Sequence, residues 1–180
     1  MTDLQQFLHA AAFAARKHRL QKRKDADASP YINHAIEVAS LLAGEGGVTD
    51  PVPLVAAVLH DTLEDTETTP AELIREFDPG IRDLVLEVTD DKRLPTTERK
   101  ALQAARASQL SDRAKLIRIA DKIANIRDVT YHPPAHWDLT RRRAYLDWTE
   151  TVVAGCRGVN AALETLYGKV LQEGRIALGA

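Results

Sequence analysis

Positions 54–59 read Leu-Val-Ala-Ala-Val-Leu, six apolar residues without a polar break, and the chain then passes directly into His60-Asp61-Thr62-Leu63-Glu64-Asp65. A surface helix keeps one polar face. A segment that is apolar all round must be buried on every side, so the rest of the chain has to wrap it. His60, Asp61, Glu64 and Asp65 then point into the protein, and burying them is costly unless something pairs with them. On one continuous helix, four-residue spacing stacks His60 with Glu64 and Asp61 with Asp65. A divalent cation is the compact partner for such a set. Mixed nitrogen and oxygen donors without thiolate favour manganese, iron, zinc or magnesium.

The flanking sequence supplies helices to do the wrapping. Leu4, Phe7, Leu8, Ala11, Ala12 and Ala15 recur at helical spacing over residues 3–18. Residues 19–30 are polar and end in Ser29-Pro30, a loop. A helix is expected over about 31–42, stopping at Gly44 and Gly46-Gly47, and Asp50-Pro51 starts the buried one. Thr69-Pro70 starts a short helix that stops near Asp78-Pro79-Gly80, and residues 81–89 and 97–107 continue with helical spacing. Ser111 caps a helix over 114–129, and one long helix is expected from 137 to about 171, interrupted if anywhere near Gly155. Period-two alternation is absent, so the expectation is a single compact all-α domain of several helices.

Composition narrows the partners. A chain of 180 residues, 44% hydrophobic and 28% charged, suits one globular domain. The lone Cys156 excludes an intramolecular disulfide or a thiolate-rich metal cluster and agrees with a cytoplasmic setting. No run approaches the roughly 20 apolar residues of a membrane span, so no membrane partner is expected. A net charge of −2 argues against a polymeric nucleic-acid partner, but the charge is unevenly placed. Arg16, Lys17, Arg19, Lys22, Arg23 and Lys24 lie within nine residues, while acids dominate residues 61–78. Such runs are either solvated surface or a basic rim around an acidic, cation-holding centre, as a phosphate substrate with a metal requires.

Two more polar residues interrupt apolar helical patterns. His34 lies in Tyr31-Ile32-Asn33-His34-Ala35-Ile36, and Asp121 in Ile119-Ala120-Asp121-Lys122-Ile123, with Asn125 and Asp128 continuing a polar seam. The order His34, His60-Asp61, Asp121 resembles the pattern of the HD metal-dependent phosphohydrolase superfamily. Four blocks narrow the resemblance: Phe13-Ala14-Ala15-Arg16-Lys17-His18, Pro30-Tyr31-Ile32-Asn33-His34, the segment from Ala56 to Thr66, and Ala120-Asp121-Lys122-Ile123-Ala124-Asn125-Ile126-Arg127. They are similar to the hydrolase domain of RelA/SpoT proteins. Val88-Thr89-Asp90-Asp91-Lys92, Glu98-Arg99-Lys100 and the tryptophan-containing C-terminal helix resemble the stand-alone Mesh-type small alarmone hydrolases. The likeness covers about residues 5–170.

The resemblance implies a single HD hydrolase domain over 1–180, with a metal-binding core at about 20–130 and C-terminal helices at about 135–176. It implies hydrolysis of the 3′-pyrophosphate of guanosine 3′,5′-bispyrophosphate, ppGpp or pppGpp, to pyrophosphate and GDP or GTP. Mn²⁺ would be held by His34, His60, Asp61 and Asp121, and Glu64 and Asp65 would serve water and leaving group as a unit. Arg23 and Lys24 would face the substrate's phosphates, Asn125 the ribose or phosphate region, and Tyr31 the nucleoside. Arg141 and Tyr145, four apart, either close the pocket or form a solvated helix face with a tyrosine packed at its edge. Ala35 stands where the family usually has proline, which supplies no ligand. Animal relatives that also look like NADPH phosphatases carry lysine at the position of Thr96, which weakens the case for a 2′-phosphate dinucleotide. No synthetase or regulatory domain is expected, because the chain ends before one could begin. The other readings are an HD phosphatase acting on NADPH or another nucleotide, and a non-catalytic nucleic-acid-binding module using residues 16–24. The latter would bind polynucleotide with a steep salt dependence and hold no metal.

Overall fold

The apolar run forms α3 (Pro51–Leu59), begun by Asp50, whose carboxylate accepts the Val52 N–H at 3.1 Å, with Pro51 in the first turn. In the computed structural model, which describes residues 1–179, Val55 to Leu59 are fully buried. Four helices enclose them: α1 (Asp3–Lys17), α2 (Ile32–Ser40), α6 (Pro79–Glu87) and α8 (Asp112–Tyr131). Withdrawing each such Val or Leu from water contributes about 1.5–3 kcal/mol, so the central helix organises the domain.

The other helices are α4 (Thr62–Asp65), α5 (Pro70–Glu76), α7 (Thr96–Arg106), α9 (Leu139–Ala154) and α10 (Ala161–Leu178). Local capping sets most starts. The side chains of Thr69, Asp78, Ser111, Asp138 and Asn160 each accept a backbone N–H three residues on, typically worth about 1 kcal/mol apiece. α10 lies along α8, and α9 packs on α7, α8 and α10. Among the described residues there is no strand, only an isolated bridge between Lys22 and Pro30 that closes the basic loop. The fold is thus a single compact all-α domain. No helix among the described residues is long and apolar enough to cross a membrane.

Three expectations need correction. The long helix from 137 to about 171 is two helices, because Gly155 ends α9, Gly158 takes φ +95° and Asn160 caps α10, which runs on to Leu178. The second helix stops at Ser40 and loosens into a π-turn over Leu41–Glu45, where the Gly46 N–H donates to the Leu41 carbonyl. The buried helix does not run on unbroken through His60 and Asp61 to Glu64 and Asp65. It ends at Leu59, and Asp61, at φ −96° and ψ −1°, bends the chain before α4.

The Gly155 turn seats against the turn Ala107–Gln109. A Cβ on Gly155 would lie 2.7 Å from the Ala107 Cβ and 2.8 Å from the Ser108 backbone nitrogen, and backbone cannot yield as a side chain can. Gly155→Ala should destabilise the protein by about 1–3 kcal/mol. Gly168→Ala, exposed inside α10 with nothing within 4 Å, should stabilise it by about 0.5–1 kcal/mol. Urea unfolding of the two variants checks the opposite signs.

Candidate metal centre

The bend after Leu59 turns His60 and Asp61 toward α2 and α8. The His60 Nδ1 lies 2.7 Å from the Ala57 carbonyl and donates to it, which leaves Nε2 buried and without a hydrogen-bond partner. That nitrogen sits 3.0 Å from Asp61 Oδ2 and 3.9 Å from Asp121 Oδ1. His34, in the first turn of α2, places Nε2 at 3.2 Å from Asp121 Oδ1 and 3.9 Å from Asp61 Oδ2. Donor atoms of His34, His60 and Asp121 all lie within 4.8 Å of one another, and the three residues are buried. Asp61 stands slightly outside that trio and joins it through Oδ2, which also accepts the Tyr31 hydroxyl at 2.5 Å. An orphaned buried imidazole nitrogen facing carboxylate oxygens is the donor set a divalent cation requires, so the residues fit a metal.

Before a cation enters, charge is balanced by protons and lysine. Burial alone would lower the His60 pKa, but the Asp61 and Asp121 carboxylates outweigh it and raise the pKa to about 9. Burial would raise Asp61, yet His60 and then His34 hold it well below the carboxylate range. Asp121 is likewise held down against burial by Lys122, whose Nζ is 2.9 Å from Oδ2, and by His34. Asn125 donates to Asp121 Oδ1 at 2.6 Å, so the polar seam of α8 converges on this carboxylate. Tyr31 is kept neutral by burial and by Asp61.

Glu64 and Asp65, at the end of α4, have separate neighbours. Glu64 accepts the backbone N–H of Asp90 at 3.3 Å and faces Arg99 at 3.4 Å. Burial, then the charges of Asp61 and Asp90, raise its pKa. Asp65 accepts from Gln21 Nε2 at 2.9 Å and pairs with Lys92. Gln21 is itself held by the His18 ring at 2.6 Å.

Two adjoining lobes, with four lining residues in common, flank the centre. One, of about 250 Å³, is lined by His34, Asp61, Glu64 and Asp121 together with Thr96, Arg99, Lys100, Arg118 and Lys122. The other, of about 400 Å³, is lined by Arg23, Lys24, Asp65 and Lys92. Tyr31, Asn125, Trp137 and Tyr145 border both. The structure thus brings together His34, His60, Asp61, Asp121, Glu64, Asp65, Tyr31, Asn125, Tyr145, Arg23 and Lys24. Arg23 is not a free cation, since its guanidinium pairs with Asp128 and lies over the Tyr31 ring. Arg141 lies outside both linings, exposed and stacked 4.5 Å over Trp137. The basic run is divided as well: Lys17 turns away to Glu72 at 2.9 Å. Unforeseen in the cleft were Asp90, Lys92, Arg99, Lys100, Arg118, Lys122, Trp137 and Trp148. Lys122, beside Asp121 in sequence, was the most readable of these.

A family model described as HD domain matches residues 10–146. The human guanosine-3′,5′-bis(diphosphate) 3′-pyrophosphohydrolase MESH1 is 50% identical over 163 residues, covering 91% of each chain. Its Xenopus tropicalis counterpart is 46% identical over 177 residues, 98% of this chain and 99% of the relative. A solved structure described as a metazoan ortholog of SpoT that hydrolyses ppGpp superposes with a TM-score of 0.91 at 43% identity, covering 93% of this chain and 94% of that one.

A cation entering the centre must displace the proton that the carboxylates hold on His60 below pH about 9. Uptake should therefore release protons, and apparent affinity should rise roughly tenfold per pH unit for each proton displaced as pH climbs toward that value. Calorimetric titration with a divalent cation in buffers of different ionisation enthalpy measures both; a pH-independent affinity with no proton release would contradict the assignment.

Proposed function

The chain belongs to the HD domain family, and from that premise we propose that it hydrolyses the 3′-pyrophosphate of guanosine 3′,5′-bis(diphosphate). Pyrophosphate and GDP are the products, or GTP from the pentaphosphate. The observation that carries this reading is the junction of a two-histidine, two-aspartate centre with a cleft walled by lysines, arginines and aromatic rings. A polyanionic nucleoside with a scissile phosphate fits both halves: cations for the phosphates, flat rings for the nucleoside. Relatives that match almost end to end carry this activity in their names.

In this reading His34, His60, Asp61 and Asp121 hold Mn²⁺. The bound ion would neutralise phosphoryl oxygens and lower the pKa of a coordinated water. The chain's own groups do the rest. Glu64, whose pKa is raised by burial and by Asp61, is suited to take a proton from the attacking water, with Asp65 as its partner in returning one to the departing 3′-oxygen. Lys24, Lys92 and Lys100 neutralise the substrate's phosphates. Tyr31, Asn125 and Tyr145, shared by both lobes, hold the nucleoside between them. Arg23 acts as a brace for its loop through Asp128, and Arg141 backs the Trp137 wall. The setting is the cytoplasm, where the buried thiol of Cys156 stays reduced.

Purified Mn²⁺-loaded protein should convert ppGpp to GDP and pyrophosphate in equal amounts. Release of phosphate from NADPH with ppGpp left intact would overturn the substrate assignment. His60→Ala and Asp61→Ala should lose bound metal and turnover together. Glu64→Gln should keep the metal while kcat falls by about 10²–10⁴-fold, the range of a lost general acid–base; metal analysis beside steady-state kinetics separates the two classes.

A further inference from the structure

The loop between α6 and α7 touches both acids. The Asp90 backbone N–H donates to Glu64 Oε2, and two residues on, Lys92 pairs with Asp65. The Asp90 side chain turns to α7 and α8, and both of its oxygens are taken. Arg118 of α8 donates to Oδ1 at 3.0 Å, and Gln103 of α7 donates to Oδ2 at 2.7 Å. Both partners are buried, at 7% and 8% exposure. We propose that Asp90 is a positioning residue: its carboxylate, gripped by Arg118 and Gln103, fixes the backbone N–H that orients Glu64 against the metal centre. This deepens the hydrolase reading above and rests on it.

Arg118 lies three residues before Asp121 on α8, so the two share a helix face. The chain Arg118–Asp90–Glu64 therefore ties the acid to the same helix that supplies a metal-ligating carboxylate. The loop is not packed solidly from behind. Behind it lies a cavity of about 160 Å³ lined by Thr89, Asp91, Leu94, Leu102 and Arg106 among others. Arg118 Nε and Gln103 Oε1 carry no further hydrogen bond. With the ion pair cut, the loop has room to fall back and take the Glu64 contact with it. The charge of Asp90 also contributes to the raised pKa of Glu64. Asparagine separates charge from geometry: its carbonyl still accepts from Arg118, and the Gln103 amide can turn so that its oxygen accepts from the new NH₂.

The experiment compares Mn²⁺-loaded wild type with Asp90→Ala, Asp90→Asn, Arg118→Met and the Asp90→Ala/Arg118→Met double variant. Metal content, melting temperature, kcat and KM for ppGpp are measured, with a crystal structure of Asp90→Ala. The expectation for Asp90→Ala is a kcat lower by about 10–100-fold with KM within about threefold and metal retained, an interaction lost in the transition state rather than in binding. Asp90→Asn should recover most of that loss. The double variant should be no slower than the worse single one, because both act through one chain. In the crystal structure the Glu64 carboxylate should leave its wild-type position. An unchanged kcat in Asp90→Ala, losses that multiply in the double variant, or an unmoved Glu64 each overturn the proposal. Wild-type protein that leaves ppGpp intact overturns the substrate reading instead, and the position of Glu64 in the variant crystal still decides the role of Asp90.

Discussion

One electrostatic constraint shapes the site: each of two imidazoles lies 3.0–3.9 Å from each of two carboxylates at the end of a buried helix. Such a group is stable only if positive charge sits among the oxygens. A proton on His60 and the Lys122 ammonium supply it before a cation arrives, and a cation then replaces the proton rather than adding to an already neutral site. Asp121 is divided between the two roles. Its Oδ1 faces the histidines and Asn125, while Oδ2 belongs to Lys122. One oxygen is thus directed to the centre and the other to the wall of the cleft. Enclosure of α3 by α1, α2, α6 and α8 leaves this arrangement open only toward the cleft, so the apolar run and the polar cluster that follows it form one structural unit.

That unit was legible because burial contradicts polarity in the sequence itself. His34, His60, Asp61 and Asp121 each interrupt an apolar helical pattern, and each lies at the centre. The all-α architecture was readable for the same reason, periodicity without alternation. What periodicity could not show was a bend inside a continuous pattern. His60 and Glu64 look stacked on one helix, yet Asp61 turns the chain, and the acids reach the cleft from a separate short helix. The break at Gly155 was visible as a glycine, but the positive φ of Gly158 and the Asn160 cap that complete the turn depend on the packing of α10 along α8.

Charge was the least transferable signal. A run of six cations at 16–24 reads as one patch, but side chains find partners that are remote in sequence. Lys17 is drawn to Glu72, 55 residues away, and Arg23 to Asp128. The cations that line the metal lobe come instead from α7 and α8, where Arg99, Lys100, Arg118 and Lys122 are scattered singly or in a pair rather than gathered in a run. Only the superposition of those helices on the end of α3 makes them a wall.

How that wall stays ready for an anion follows from where its cations rest. The Lys100 Nζ lies 4.6 Å from the Trp148 ring centre and 5.0 Å from that of Tyr145, and the Lys122 Nζ also lies 4.6 Å from the Trp148 ring centre. Burial and the neighbouring charges of Lys122 and Arg141 lower the Lys100 pKa, so its ammonium is held among like charges. An aromatic face gives a cation about 0.5–2 kcal/mol, less than a phosphate oxygen offers a desolvated ammonium, and unlike a carboxylate it adds no negative charge to repel the substrate. Aromatic rings in the cleft therefore serve twice. They present flat surfaces to the cleft, and the Tyr145 and Trp148 rings hold the Lys100 ammonium among like charges, so that an anion bound beside it relieves repulsion.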